Sequence, residues 1–219
     1  MRFHASLFLY YYRLRRNRGA VKKSKKMMKR FFMCAAFLIM SLAGSAQQDV
    51  TRFLGIPVDG SKAEVERQLL SKGFVWSADR RMLAGEFNGE KVYINVQTDN
   101  NRVWRIAVIE EALRDEAQIR IRFNNLCRQF EKNERYRSAA ENCHISENED
   151  ISYNITVKNK QYEAVYYQVP PVLSKEDVTA INLGDYKNQV WFLISEYFGK
   201  YQIVLFYENN KNRADGEDL

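Results

Sequence analysis

Residues that usually carry chemistry are scarce in this chain of 219 amino acids. It holds two histidines and three cysteines, with no Cys-x-x-Cys pair and no His-Glu-x-x-His pattern. No run of residues therefore has the spacing of a metal site. Nucleophile elbows, phosphate-binding loops and glycine-rich dinucleotide patterns are missing as well. Only three prolines occur, there is no low-complexity tract, and 46% of the residues are apolar, which excludes a disordered chain. No apolar run reaches the roughly 20 residues that a bilayer crossing takes.

Acidic residues are absent from one region only. Residues 1–46 carry 11 of the 34 Lys and Arg and none of the 27 Asp and Glu. From Gln47 onward 23 basic residues face 27 acidic ones, a net charge of −4, although the whole chain is at +7. The basic character belongs to the leader, so it does not support a nucleic-acid partner.

Within that leader, Lys29 and Arg30 precede the apolar run Phe31–Ala43, and the small residues Gly44, Ser45 and Ala46 follow. A positive segment, a short apolar segment and a small-residue cleavage site make a secretory signal over 27–46, cut near Ala46. The mature chain is then expected in the periplasm or outside the cell, touching a membrane only through the signal before cleavage. Residues 1–26 are very basic, with an aromatic cluster at Phe8–Tyr12. The simplest reading is a true start at Met27 or Met28; the other is an extended basic segment. Cys34 follows Phe-Phe-Met, whereas a lipoprotein signal has small residues there.

Export leaves Cys127 and Cys143 in a compartment that permits disulfides. An even pair at this spacing is expected to form one bridge, stabilising the fold by roughly 3 kcal/mol on the chain-entropy model. A reactive thiol beside His144 is the competing reading, disfavoured because adjacent side chains seldom point at each other.

Patterning predicts an α+β fold of antiparallel sheet and segregated helices. Ser61-Lys62-Ala63-Glu64 reads as a capping box opening a helix over 61–72, with Val65 and Leu69 facing inward and Gly73 ending it. Short strands follow at 74–76 and 82–87, then Asn88-Gly89, the strongest short hairpin signal. Val92, Ile94 and Val96 alternate with Tyr93, Asn95 and Gln97. A longer helix is predicted over 111–133, its stripe formed by Ala112, Ile119, Phe123, Leu126 and Phe130, with Ile121 off the stripe. Polar residues 134–150 read as a loop. Strands are predicted at 151–157 and 162–169, and a short helix from Ser174 to about Ala180.

One stretch recurs. Val92–Glu110 aligns without a gap on Val190–Glu208, with Val92 on Val190, Ile106 on Val204 and Glu110 on Glu208. Each copy reads as a β-hairpin, so the preferred architecture is two repeats of a helix-plus-meander unit. Residues 47–133 form the first half and 134–219 a second, β-rich half of one globular unit.

Candidate catalytic, cofactor and metal residues are none. Glu147, Glu149 and Asp150 lack EF-hand spacing. Glu110-Glu111 and Asp115-Glu116 read as helix-start charges that complement the dipole, and the sequon Asn154-Ile155-Thr156 falls in a predicted strand. What stands above background is aromatic. The second hairpin is apolar on both faces, and Trp191, Tyr197, Phe198 and Phe206 are its candidate partner-binding residues. Either these strands are central and covered on both sides, or they present a surface for a partner protein or glycan.

Residues 53–74 (FLGIPVDGSKAEVERQLLSKGF), the VWRIAVI strand and GKYQIVLFYENN resemble a group of small exported bacterial proteins without assigned activity. More distantly, a helix followed by a meander, used twice, is similar to β-lactamase-inhibitor-protein-like domains and to small lipoprotein domains of outer-membrane assembly. The chain departs from the latter in lacking a lipobox, and from both in having one long helix per half rather than a pair. The resemblance implies a binding module and carries over no catalytic residue. The expected function is thus a secreted, non-enzymatic binding or scaffolding protein of the bacterial envelope, without cofactor. The alternatives are a carbohydrate or small-ligand binder using Trp76, Trp104 or Trp191, and a hydrolase with two distant carboxylates.

Overall fold

The first elements follow from turn chemistry. In the computed structural model, which describes residues 50–213, β1 (Arg52–Phe53) and β2 (Ile56–Pro57) pair across Leu54 and Gly55, both at positive φ. The expected signal segment 27–46 and the stretch 1–26 lie outside the described residues. Helix α1 (Lys62–Ser71) starts where Ser61 Oγ accepts from the Glu64 amide at 3.3 Å, and buries Val65 and Leu69. Only half of the expected capping box is made, because the Glu64 carboxylate accepts instead from Arg67 and Gln68. Strands β3 (Val75–Ser77), β4 (Met82–Phe87), β5 (Glu90–Asp99) and β6 (Arg102–Glu110) follow. Asn88 and Gly89 take positive φ of 51° and 76° between β4 and β5, as an Asn-Gly hairpin turn requires.

Helix α2 (Glu116–Glu131) begins later than its apolar pattern suggested. Asp115 accepts from the Gln118 amide at 2.8 Å while the Gln118 side chain accepts from the Asp115 amide at 3.3 Å. This reciprocal cap fixes the start and leaves Ala112 outside the helix. Ile119, Phe123, Leu126, Cys127 and Phe130 are buried, and Ile121 faces solvent. After β7 (Tyr136–Ser138), residues Ile151–Thr156 form a short helix, α3, where a strand was predicted. Asp150 caps it by accepting from the Tyr153 amide, and Ile151 and Ile155, one turn apart, both meet the core. Apolar spacing over six residues does not separate helix from strand; the cap and the docking site decide. Strand β8 (Glu163–Gln168), helix α4 (Lys175–Leu183), β9 (Asn188–Tyr197), β10 (Lys200–Asn209) and a 3₁₀ turn (Asn210–Asn212) complete the order.

Eight strands form one antiparallel sheet in the order β3-β4-β5-β6-β10-β9-β8-β7. The order is symmetric about its centre: α1 leads into β3–β6, and α2 leads into β7–β10. The α+β class and the paired helix-plus-meander organisation both hold, with the topological division falling between β6 and α2. At the centre Val108 pairs with Leu205, and a pseudo-two-fold axis passes between them.

The gap-free alignment of the two hairpins slips on its second strand. The β5–β6 register shifts by one residue between Gln97 and Thr98, whereas β9–β10 pairs without interruption. The extra residue, Trp104, displaces everything after it by one position. Ile106 therefore corresponds to Ile203 and not to Val204, and Glu110 to Tyr207 and not to Glu208. Because side chains alternate across a sheet, Glu110 and Glu208 end on opposite faces.

Helices α1, α2 and α3 cover one face. Val65, Leu69, Ile119, Phe123, Leu126 and Ile151 pack there against Val92, Ile94, Val108, Val190, Phe192, Ile203 and Leu205 in one continuous core. On the other face, Ala180 and Ile181 of α4 pack with Tyr167, Val169 and Tyr186 near β8. Glu110 is 1% exposed and is no helix-start charge. It accepts from Arg122 Nε (2.8 Å) and Nη2 (2.5 Å) and from Arg114 Nη1 (2.7 Å). Arg114 also pairs with Glu90 at 2.7 Å, so two carboxylates and two guanidiniums tie the end of β6 to α2. Among the described residues no helix is long and apolar enough to cross a membrane.

Candidate functional site

Two places combine unusual residues with accessible surface. The first is the tip of the β9–β10 hairpin. Phe198 and Gly199 form a two-residue turn with φ of 51° and 74°, the geometry that the twist of paired strands prefers. Asn occupies the first position of the two other two-residue turns in this sheet, Asn88-Gly89 and Asn100-Asn101. Here it is a phenylalanine, 88% exposed, set edge-on against the half-exposed Tyr197 at 4.7 Å. A left-handed backbone costs an ordinary L-residue roughly 1–2 kcal/mol, and a solvent-facing ring gives little back within the fold.

Behind the tip lies the face of the sheet opposite α1–α3. Trp191 stacks on Phe206 across the β9–β10 ladder at 4.3 Å and 25°. The Arg105 guanidinium sits 4.1 Å from the Trp104 ring centre and 4.8 Å from that of Phe206, while pairing with Glu208 at 2.5 Å. Leu193, Val204, Ile109 and Val165 continue this surface, all partly exposed. The sheet's second face is therefore only partly covered among the described residues, by α4 at one corner.

The second place is where the C-terminal end of α2 meets the loop after β7. Cys127 and Glu131 are one turn apart on α2 and share a face. Asn124 holds the loop by donating to the Ile145 carbonyl and accepting from its amide, both at 2.8 Å. This brings Cys143 Sγ to 3.6 Å from Glu131 Oε1, and His144 Nε2 to 3.0 and 3.2 Å from the two Glu131 carboxylate oxygens. The Tyr166 hydroxyl lies 3.1 Å from Cys143 Sγ and 3.5 Å from the Cys127 carbonyl.

The expected Cys127–Cys143 bridge is not made; both are free thiols. They are hydrogen-bonded neighbours, Cys127 fully buried and Cys143 partly so. The hydrogen bond from Cys127 outweighs burial and, together with Tyr166, brings Cys143 down to about 7. Giving up that hydrogen bond, and burial after it, push the Cys127 thiol up. Burial likewise raises Tyr166, so its hydroxyl stays a donor.

No family model, curated protein or solved structure matches this chain.

Of the four aromatics expected to bind a partner, Tyr197 and Phe198 form the exposed tip, and Trp191 and Phe206 form the stacked pair on the partly open face. Trp76 is 56% exposed on the edge strand β3. Glu147, Glu149 and Asp150 do not converge: Glu149 accepts from Lys160 and from Tyr162 at 2.8 Å, and Asp150 caps α3. Asn154 sits in α3 rather than a strand and donates to the Tyr162 hydroxyl at 2.9 Å. Sequence reasoning misses Glu131 and sets aside the pairing of Cys143 with His144, which the structure brings together with that carboxylate. Their separations match no metal motif, and a loop pinned by Asn124 brings them together.

Proposed function

We propose that this chain is an exported, non-enzymatic binding protein of the cell envelope that engages a partner protein through the tip of the β9–β10 hairpin. The observation that carries the reading is Phe198, an exposed aromatic at a positive-φ turn position where asparagine would be more stable. Residues that break a local rule without internal compensation mark functional positions. Tyr197 beside it and the Trp191, Phe206 and Arg105 surface have the composition of interface hot spots, rich in aromatics and arginine.

Replacing Phe198 by Asn tests this. The variant should fold, melt higher than the parent, and lose capture of the envelope protein that the parent retains under native conditions. A variant that captures the same protein as the parent would sink the reading. A second reading, a glycan binder, draws on the exposed ring of Trp76 and on the Trp191–Phe206 stack. It requires intrinsic tryptophan fluorescence to change on titration with at least one polysaccharide, and an unchanged signal across a panel removes it.

A further inference from the structure

We propose that Cys143, His144 and Glu131 form a binding site for a thiophilic divalent cation of the zinc class, with the fourth coordination position open to water. The three candidate donor atoms all lie within 4.8 Å of one another. Zinc binds sulfur at about 2.3 Å and imidazole nitrogen or carboxylate oxygen at about 2.0–2.2 Å, so ligand atoms on a tetrahedron stand about 3.3–3.7 Å apart. The Cys143–Glu131 separation of 3.6 Å falls inside that range, and the His144–Glu131 separations of 3.0 and 3.2 Å lie just below it. A cation would take the place of the proton that Nε2 shares with the carboxylate.

Three further features favour a positive ion there. Glu131 is the last residue of α2, where the helix dipole presents its negative end, a poor place for an uncompensated carboxylate and a good one for a cation. The Tyr166 hydroxyl, 0% exposed, is positioned to donate to the Cys143 sulfur from the buried side, the kind of outer contact that orients a metal-bound thiolate. The loop is preset: Asn124 pins Ile145 from both sides, Arg120 donates to the Glu149 carbonyl, and the Asn142 side chain accepts from the His144 amide at 2.9 Å. Cys127, fully buried on α2, is not one of the three converging donors and is no ligand. A bound ion would clamp the polar loop 139–150 to α2, which the proposed hairpin-tip interaction does not require.

Cobalt(II) titration of the full chain, kept reduced and oxygen-free, tests the site. The expected result is one equivalent bound, with a sulfur-to-cobalt charge-transfer band and the intense visible bands of tetrahedral geometry, all displaced by zinc. C143S should lose the charge-transfer band. H144Q and E131Q should keep it and bind at least tenfold more weakly, and C127A should bind within threefold of the parent. Circular dichroism on each variant separates loss of the site from loss of the fold, and H144Q alters only a partly exposed side chain. Four results overturn the proposal: no stoichiometric cobalt uptake by the reduced chain, equal binding by C143S, loss of binding in C127A with its fold intact, or a native chain two hydrogens light from a Cys127–Cys143 bridge.

Discussion

Glu110→Gln should be among the most damaging single substitutions in this fold, although it changes one atom. The carboxylate is 1% exposed and receives three short hydrogen bonds from Arg114 and Arg122, whose side chains are 11% and 13% exposed. Glutamine keeps the shape but removes the charge and turns an amide NH₂ toward guanidinium donors. Breaking a buried ion pair on one side costs about 3–5 kcal/mol. Glu90 still pairs with Arg114 at 2.7 Å and lies 4.0 Å from Arg122, so the lower end, about 3 kcal/mol, applies. With a urea m-value of about 2 kcal/mol/M, the unfolding midpoint should fall by about 1.5 M. Added salt should change this difference little, because the pair is shielded from solvent. E110Q and R122M should also be strongly non-additive, since they remove the same contact. A midpoint shift below about 0.5 M at unchanged m, a cost near 1 kcal/mol, would refute the view that this network ties β6 to α2.

Gly85→Ala should destabilise by about 1–3 kcal/mol. A Cβ there would lie 2.4 Å from Cδ1 of Phe74, a ring that is itself buried, and a thermal melt checks it. Phe198→Asn should raise stability by about 0.5–1 kcal/mol by relieving the left-handed strain, and denaturant unfolding reads the gain. Glu149 is held below its ordinary pKa, first by the Lys160 ammonium and then by the Tyr162 hydroxyl. Its folded pKa is lowered, so its contribution is present above about pH 4.3 and fades as the pH falls through the folded value. The melting temperatures of E149Q and the parent should differ at pH 7, and the gap should shrink steadily as the pH falls below about 4.3; a gap that does not shrink in acid would contradict the assignment.

Much of the architecture was legible because it rests on short-range chemistry. Ser61 before Val65 and Leu69 starts α1, Asn88-Gly89 makes a hairpin, and Val92, Ile94 and Val96 face the core, all readable from spacing alone. The Asp115-Glu116-Ala117-Gln118 cap of α2 was equally available and was overlooked because Ala112 extended the apolar pattern upstream. Of the candidate binding residues, Tyr197 and Phe198 could be named from sequence, since a hairpin turn between two apolar runs must reach the surface.

What tertiary structure decided depends on partners far away in sequence. Ile151–Thr156 is a helix because Glu116 of α2 accepts from the Ile151 amide and Ile151 reaches the core beneath, contacts that the segment and its local Asp150 cap do not encode. The slip between the two hairpins comes from one unpaired residue, Trp104, and a bulge changes no composition; it moves Glu110 into a buried arginine cage and leaves Glu208 on the opposite face. Cys143, His144 and Glu131 converge because Asn124 fastens a polar loop to α2, and the two thiols meet as hydrogen-bonded neighbours instead of a bridge. Where elements start, turn and bury a stripe is written locally, because those preferences act over three or four residues. Register, second-face exposure and the meeting of distant ligands are settled only on folding, because they depend on backbone pairing and packing between segments that are far apart along the chain.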